Sequence, residues 1–337
     1  MICDYRDLVR GSIRCVSMLA LSGLLGTSLI AHAADTSKGK KILLLQPQSA
    51  HPYIATMTKT FREGGEALGM EITTLSASYD AALQSQQVDD GIARKFDLIA
   101  IGVVSEQAII PALARAKQAS IPVILINGPV KPGNEDFYVT FVGQDHTEMG
   151  RIAGRSIVEA VKGSGRDAAK VALITGALTQ GIGPRRLAGL NEVLATHPNI
   201  KVVATEDARW DTATSERIAG QLYARFAATG GLDVVYGMAD NQAVAAIKAA
   251  GAAGIAVGKG PKQLIVVGGN CLKEGTDAIR ADQLYSSVTQ SPTEVGAAAI
   301  KAADDFFAGK KVPKDTLLPV EAVTKANVDK FQALCTY

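Results

Sequence analysis

The sequence has 337 residues, 35 basic against 33 acidic side chains, a formal net charge of +2 and 47% hydrophobic residues. That near-neutral balance excludes the strong positive field expected of a nucleic-acid or anionic-membrane binder. The length allows one large or two medium domains.

In chain order, residues 1–14 carry Arg6, Arg10 and Arg14, and residues 15–30 form an apolar run. Ala31 and Ala33 then match the small-residue rule for cleavage. This pattern predicts a secretory signal over residues 1–33, cut near Ala33/Ala34. A membrane anchor is the alternative, but the run is short for a span and is followed by a cleavage pattern. Cys15 stands at the start of the run, after Arg14, which argues against a lipid-modified cysteine. The signal carries three basic residues and two acidic ones (Asp4 and Asp7), so 32 basic and 31 acidic residues remain, a net charge of +1. Only Cys271 and Cys335 remain with them. An even pair in an exported chain is best read as one disulfide. No CxxC is present, and His51, His146 and His197 have no metal-ligand spacing, so neither a metal nor a cofactor is expected.

Beyond residue 40, short apolar runs alternate with longer amphipathic stretches. Strand candidates are KILLLQ, EITTLSA, LIAIGVV, VILIN, YVTFVG, KVALITG, KVVATE, VVYGMA, LIVVGGN and YSSVTQ. They are short and rich in Val and Ile, as buried parallel strands are. Helix patterns lie between them, among them YIATMTKTFREGGEALG, SEQAIIPALARAKQAS, TEMGRIAGRSIVEAVKG and DNQAVAAIKAAG, several of which end in Gly. The fold class is α/β, in doubly wound parallel sheets covered by helices on both faces. Ten strands are many for one such sheet. The boundaries predict one lobe from residues 41–143 plus 291–322 and a second from residues 144–290 plus 323–337, with SPTEVGAAAIKAADDFF returning to the first lobe as a helix.

Open parallel sheets bind ligands beyond the carboxyl ends of their strands. The residues in those places include Gln46, Gln48, His51, Tyr53, Asn127, Gln144, Asp145, Gln180, Trp210, Met238, Asp240, Asn270 and Gln290. Most are neutral amides, which donate and accept hydrogen bonds as hydroxyl groups do. Tyr53 and Trp210 offer flat apolar faces for the C–H side of a sugar or polyol. Simpler roles remain open: Asp145 and Asp240 as helix N-caps, Asn127 and Asn270 as turn residues, Trp210 as partly buried packing, and Pro52 as a first-turn helix residue. No G-x-S-x-G or H-E-x-x-H motif occurs. His51, Asp145 and Asp240 lack a convincing nucleophile, so an exported enzyme is a weaker reading.

The stretches HPYIATMTKTFREGGEALGMEI, DLIAIGVVSEQAIIPALARAKQASIPVILING, GRIAGRSI, RRLAGL, DNQAVAAIKAAG, LIVVGGN and SSVTQSPTEVG, in this order, resemble the type I periplasmic sugar-binding proteins of the ribose-binding group, the solute receptors of ATP-driven importers. The resemblance covers essentially all of the chain beyond the signal. It implies two Rossmann-like lobes joined by a three-segment hinge, a monomeric periplasmic receptor, a membrane permease as partner, and no chemistry. It places Tyr53 and Trp210 as facing aromatics, His51 at an asparagine contact, Asn270 at a ligand-binding Asp, Gln290 at a hinge glutamine and Gln144 at a crossing serine. Arg185 is offered in place of a ligand arginine whose position Pro184 occupies, while Arg186 fits a structural R-x-x-G pattern. Asn127-Gly128 replaces the Asp-Arg pair that grips ribose, and Ala239 replaces a ligand asparagine beside Asp240. The expected ligand is therefore a neutral monosaccharide other than ribose, or a sugar alcohol. A sensor presenting the same ligand to a chemoreceptor or kinase fits the same pocket. A repressor of this fold would need a helix-turn-helix where the export signal stands.

Overall fold

The computed structural model describes residues 36–337. The expected export signal over residues 1–33 lies outside them. Among the described residues, no helix is long and apolar enough to cross a membrane.

The chain opens with strand β1 (Lys41–Gln46), helix α1 (Pro52–Ala67), β2 (Glu71–Ser76), α2 (Ala81–Ala93), β3 (Leu98–Ile101), α3 (Ile110–Gln118), β4 (Val123–Ile126) and β5 (Thr140–Gln144). It continues with α4 (His146–Gly163), β6 (Ala169–Thr175), α5 (Ile182–Leu194), β7 (Ile200–Asp207), α6 (Thr212–Ala227), β8 (Val234–Gly237), α7 (Asp240–Ala252), β9 (Ile265–Val267), α8 (Lys273–Arg280) and β10 (Ser286–Val288). The last elements are α9 (Pro292–Phe307), β11 (Asp315–Leu318) and β12 (Ala322–Thr324). All ten strands read from the sequence are present. The expected start of α3 at SEQA is not: Pro111 has no N–H to give, so it sits in the first turn and the helix begins at Ile110.

Nine strands form the doubly wound sheets the sequence implies, and a tenth, β11, joins them. A six-stranded parallel sheet has the order β11-β5-β4-β3-β1-β2, and a four-stranded parallel sheet has the order β7-β6-β8-β9. The remaining pair, β10 and β12, runs antiparallel. The chain leaves the first sheet after β5, comes back with α9 and β11, and departs again into β12. It therefore passes between the sheets three times.

Alternation along the buried strands builds a core on each face of each sheet. In the first sheet, Leu43, Leu45, Ile99 and Ile101 pack toward α2 and α3. Ile42, Leu44, Leu98 and Ala100 pack toward α1 and α9. In the second, Val171, Leu173 and Val234 face α4 and α5, while Ala172, Ile174 and Val235 face α6 and α7. Helices α4 and α5 approach unusually closely, because a Cβ on Gly150 would stand 2.0 Å from the carbonyl oxygen of Arg186. That approach seats Arg186 deep inside the fold.

Cys271 and Cys335 are bonded, with their Cα atoms 5.1 Å apart and 64 residues of separation. The bridge lies in the core of the second sheet beside Val328 and Phe331, and so pins the final segment to the loop after β9. Replacing both cysteines with serine is expected to lower the free energy of unfolding by about 4 kcal/mol, the chain-entropy value for a loop of this length. Urea titration of Cys271→Ser/Cys335→Ser against the parent measures it; equal midpoints and slopes would show that the bridge constrains nothing.

Candidate functional site

A cavity of about 440 Å³, counted with its mouth, opens between the carboxyl ends of the two sheets. From the first sheet it is lined by Pro47, His51, Tyr53, Ile54, Tyr79 and Asn127, and from the second by Gln180, Ile182, Arg186, Trp210 and Asn270, with Gln290 at the passage between them.

The sequence positions these groups by local rules. His51 is the N-cap of α1: its Nδ1 accepts the Tyr53 N–H at 3.2 Å, and Pro52 fills the first helical turn. Burial pulls the His51 imidazole below its ordinary pKa, partly offset by the nearby Asn241 amide. Asp211 caps α6 by accepting the Thr214 N–H, which fixes Trp210 immediately before it. Three lining residues, Tyr79, Asn127 and Trp210, have left-handed φ values of 61°, 62° and 65°. For two bulky aromatics this is a real backbone cost, of the kind that clusters at functional sites.

The Trp210 ring lies against Gly176, where an added Cβ would come within 1.9 Å of it. Its indole N–H donates to Gln180 Oε1 at 2.6 Å, and Gln180 Nε2 donates to the Val103 carbonyl at 3.0 Å, joining the two sides. A second chain starts at Arg186. Its guanidinium donates to the carbonyls of Met238 and Gly269 at 2.7 and 2.9 Å and to Gln290 Oε1 at 2.8 Å. Gln290 Nε2 then donates to Asn127 Oδ1 at 2.9 Å, and the Tyr53 hydroxyl donates to the same oxygen at 3.3 Å. Burial lowers the Arg186 pKa from its usual value and raises that of Tyr53. Below Asn127, the ring of His146 contacts the Asn127 carbonyl at 2.7 Å through Nε2, while Nδ1 has no partner among the described residues. Burial and the nearby positive charge of Arg186 push the His146 pKa down to about 3, so its ring is neutral and Nε2 is the donor.

Of the expected site residues, His51, Tyr53, Asn127, Gln180, Trp210, Asn270 and Gln290 come together at this cavity. Four do not line it. Gln48 points to Tyr79, whose hydroxyl accepts from its Nε2 at 3.4 Å. Gln144 is buried at the end of β5. Arg185 turns outward to Glu106 at 2.9 Å and the Val130 carbonyl at 3.0 Å, making an ion pair between the two sides. Asp240 lies under the floor and accepts from the N–H groups of Gly269 and Leu272 and from Ser287. Burial pushes its carboxyl up to about 6. It is not the helix cap either, since Ala239 occupies that place; Asp145, by contrast, does cap α4. Sequence reasoning missed Tyr79, which lies in the turn between β2 and α2, and read Arg186 as structural although it lines the cavity. The lining contains no carboxylate, and among the described residues no cluster of metal-ligating side chains occurs.

A family model described as a periplasmic binding protein domain matches residues 42–311. The ribose import binding protein of Haemophilus influenzae is 23% identical over 90% of this chain and 98% of its own length. The xylitol-binding protein of Mycolicibacterium smegmatis is 25% identical over 93% of this chain and 86% of its own. Among solved structures, an ABC transporter solute binding protein from Bacillus halodurans with bound myo-inositol superposes with a TM-score of 0.78 at 22% identity, covering 88% of this chain and 98% of that one.

Two outcomes follow from this geometry. Gly176→Ala is expected to lift the Trp210 ring from its bed and break its bond to Gln180; since Trp210 is the sole tryptophan, red-shifted emission with unchanged far-UV circular dichroism reports it, and an unchanged spectrum would contradict this packing. His146 must take up a proton to unfold at acid pH, because its folded pKa of about 3 lies below the unfolded 6.5. Its contribution is complete above pH 6.5 and is lost as pH falls toward 3. The stability advantage of the parent over His146→Gln should therefore shrink by about 1.4 kcal/mol per pH unit below pH 6.5, as read by urea unfolding at several pH values; a constant difference would refute the neutral buried ring.

Proposed function

Because the chain belongs to the periplasmic binding protein family, whose domain it carries over residues 42–311, we propose that it is an exported solute-binding receptor that captures a neutral monosaccharide or sugar alcohol between two lobes and delivers it to the membrane permease of an ABC importer. The observation that carries this reading is the two-sided lining: aromatic faces and amides from both sheets converge on one cavity with no carboxylate among them. The two lobes would be the bodies built on the two sheets, and the three passages between them the hinge.

Lobe one contributes Tyr53, Asn127, His51 and Tyr79; lobe two contributes Trp210, Gln180, Arg186 and Asn270. The Nδ2 groups of Asn127 and Asn270 are the arms left for a ligand, since the Oδ1 of Asn127 is taken by Gln290 and Tyr53 and that of Asn270 by the Asp240 N–H at 2.8 Å. Both are donors, which suits the lone pairs of hydroxyl oxygens. A ligand touching both lobes is bound fully only when they close, so binding shifts the population to the closed form. The lining offers no nucleophile paired with a base, which supports capture without turnover. The names of the ribose- and xylitol-binding relatives agree with this ligand class.

Titration with D-ribose, other aldoses, xylitol and myo-inositol is expected to give a saturable change in Trp210 emission for at least one of them. Trp210→Ala should weaken that binding by about 2 kcal/mol, roughly thirtyfold, in calorimetry. Silence of both methods across the panel would sink the sugar or polyol reading, and turnover of any member would replace it with an enzymatic one.

A further inference from the structure

The Cys271–Cys335 bridge brings the end of the sequence back to the cavity. Asn270, a lining residue, is followed at once by Cys271, whose backbone is left-handed with φ 57°. The sulfur link leads to Cys335, and two residues later Tyr337 returns to the same loop. Its hydroxyl hydrogen-bonds the carbonyls of both Asn270 and Gln290, and its own carbonyl accepts the Lys273 N–H at 3.1 Å. Its ring meets Tyr53 edge to face, with centroids 5.8 Å apart and planes at 71°. Tyr337 thus touches three lining residues that come from three separate segments, while lining the cavity with none of its own atoms.

The segment it holds needs holding. Between β9 and α8, the N–H groups of Gly269, Cys271 and Leu272 have no sheet partners; they are met instead by Asp240 Oδ1 at 2.8 Å, Ser287 Oγ at 3.0 Å and Asp240 Oδ2 at 2.9 Å. Side chains therefore fix this floor from below, and Tyr337 fixes its carbonyl side. The floor matters because Asn270 presents one of the donor arms, and Gln290 links Arg186 to Asn127.

We propose that Tyr337, held in place by the Cys271–Cys335 bridge, is a positioning residue for ligand capture: it orders the segments carrying Asn270 and Gln290 and braces the ring of Tyr53 before any ligand arrives. This rests on the cavity being the sugar or polyol site. Pre-ordering of this kind raises affinity by removing the entropy cost of arranging the contacts at binding. The tail and its disulfide thereby act on the pocket itself as well as on overall stability.

Tyr337→Phe keeps the ring against Tyr53 and removes only the hydroxyl. In ligand-free protein, hydrogen–deuterium exchange of the amides at residues 269–272 is expected to accelerate about tenfold or more, with β1 and β6 unchanged. Cys271→Ser/Cys335→Ser, which frees the whole tail, should give the same local signature in a larger degree. Calorimetry with D-ribose, xylitol and myo-inositol should show affinity about tenfold weaker in Tyr337→Phe for whichever of them the parent binds, together with a modest fall in thermal midpoint from the two carbonyls left without a donor. Parent-like exchange at residues 269–272 in both variants overturns the proposal, as does a lowered thermal midpoint with parent affinity, which would make the role structural only. If the parent binds no member of the panel, the sugar reading fails and the exchange measurement alone decides the role of Tyr337.

Discussion

The cavity depends on one buried cation. Arg186 is 1% exposed and has no carboxylate within hydrogen-bond reach; its partners are two strand-end carbonyls, the Gln290 amide oxygen and the sulfur of Met149. A guanidinium only donates, so it dictates the direction of every bond beyond it. Gln290 must turn its oxygen to Arg186 and its nitrogen to Asn127. Asn127 must then turn its oxygen to Gln290, leaving its nitrogen for the cavity. Amides that would be free to flip in isolation are locked into one orientation, and the set of donors left for a ligand is a consequence. Loss of Arg186 would strand the Met238 and Gly269 carbonyls and release Gln290 together, a larger effect than the loss of any single ligand contact.

Around this network the chain accepts strain. Tyr79, Asn127 and Trp210 adopt left-handed backbone, and each is braced by a different device. Asn127 has the donor ring of His146 on its carbonyl, Tyr79 has Gln48 on its hydroxyl, and Trp210 has Gly176 beneath its ring and the Asn241 amide on its carbonyl. The cost of these conformations is carried by contacts formed on folding. The aromatic faces are consequently presented before a ligand binds.

Much of this was legible in the sequence. The central strand runs stood out because buried parallel strands are continuously apolar, and the strand-end rule gathered seven of the lining residues. What escaped did so for physical reasons. β11 is an edge strand with Leu317 more than half exposed, and β12 has three residues, so neither has an apolar run to show. The choice between Arg185 and Arg186 turned on which side of α5 faces the cavity, and that is set by the close approach of α4 at Gly150, a contact that sequence spacing does not encode. Asp240 stood at the right place in the chain, but its side chain turned down to three donors from two other segments, and long-range partners of that kind leave no local signature. Tyr337 is remote from every pocket residue in sequence, and the Cys271–Cys335 pair two residues before it is the one sequence feature that points it to them.

The contacts across the cavity also bear on how firmly the proposed lobes would stay shut. Gln180 reaches the Val103 carbonyl, and Arg185 reaches Glu106 and the Val130 carbonyl. About a quarter of each ion-pair side chain remains exposed, so solvent screens the pair and its contribution is of the order of 1 kcal/mol or less. Such a pair lowers the cost of closure without locking it. Had it been buried and strong, the lobes would close empty and exclude the solute; had it been absent, more of the ligand's binding energy would go into closing the protein and the apparent affinity would fall. A weak protein latch combined with the proposed set of pre-ordered donors would leave the decisive part of closure to the ligand, as the proposed receptor, which must also release its cargo, requires.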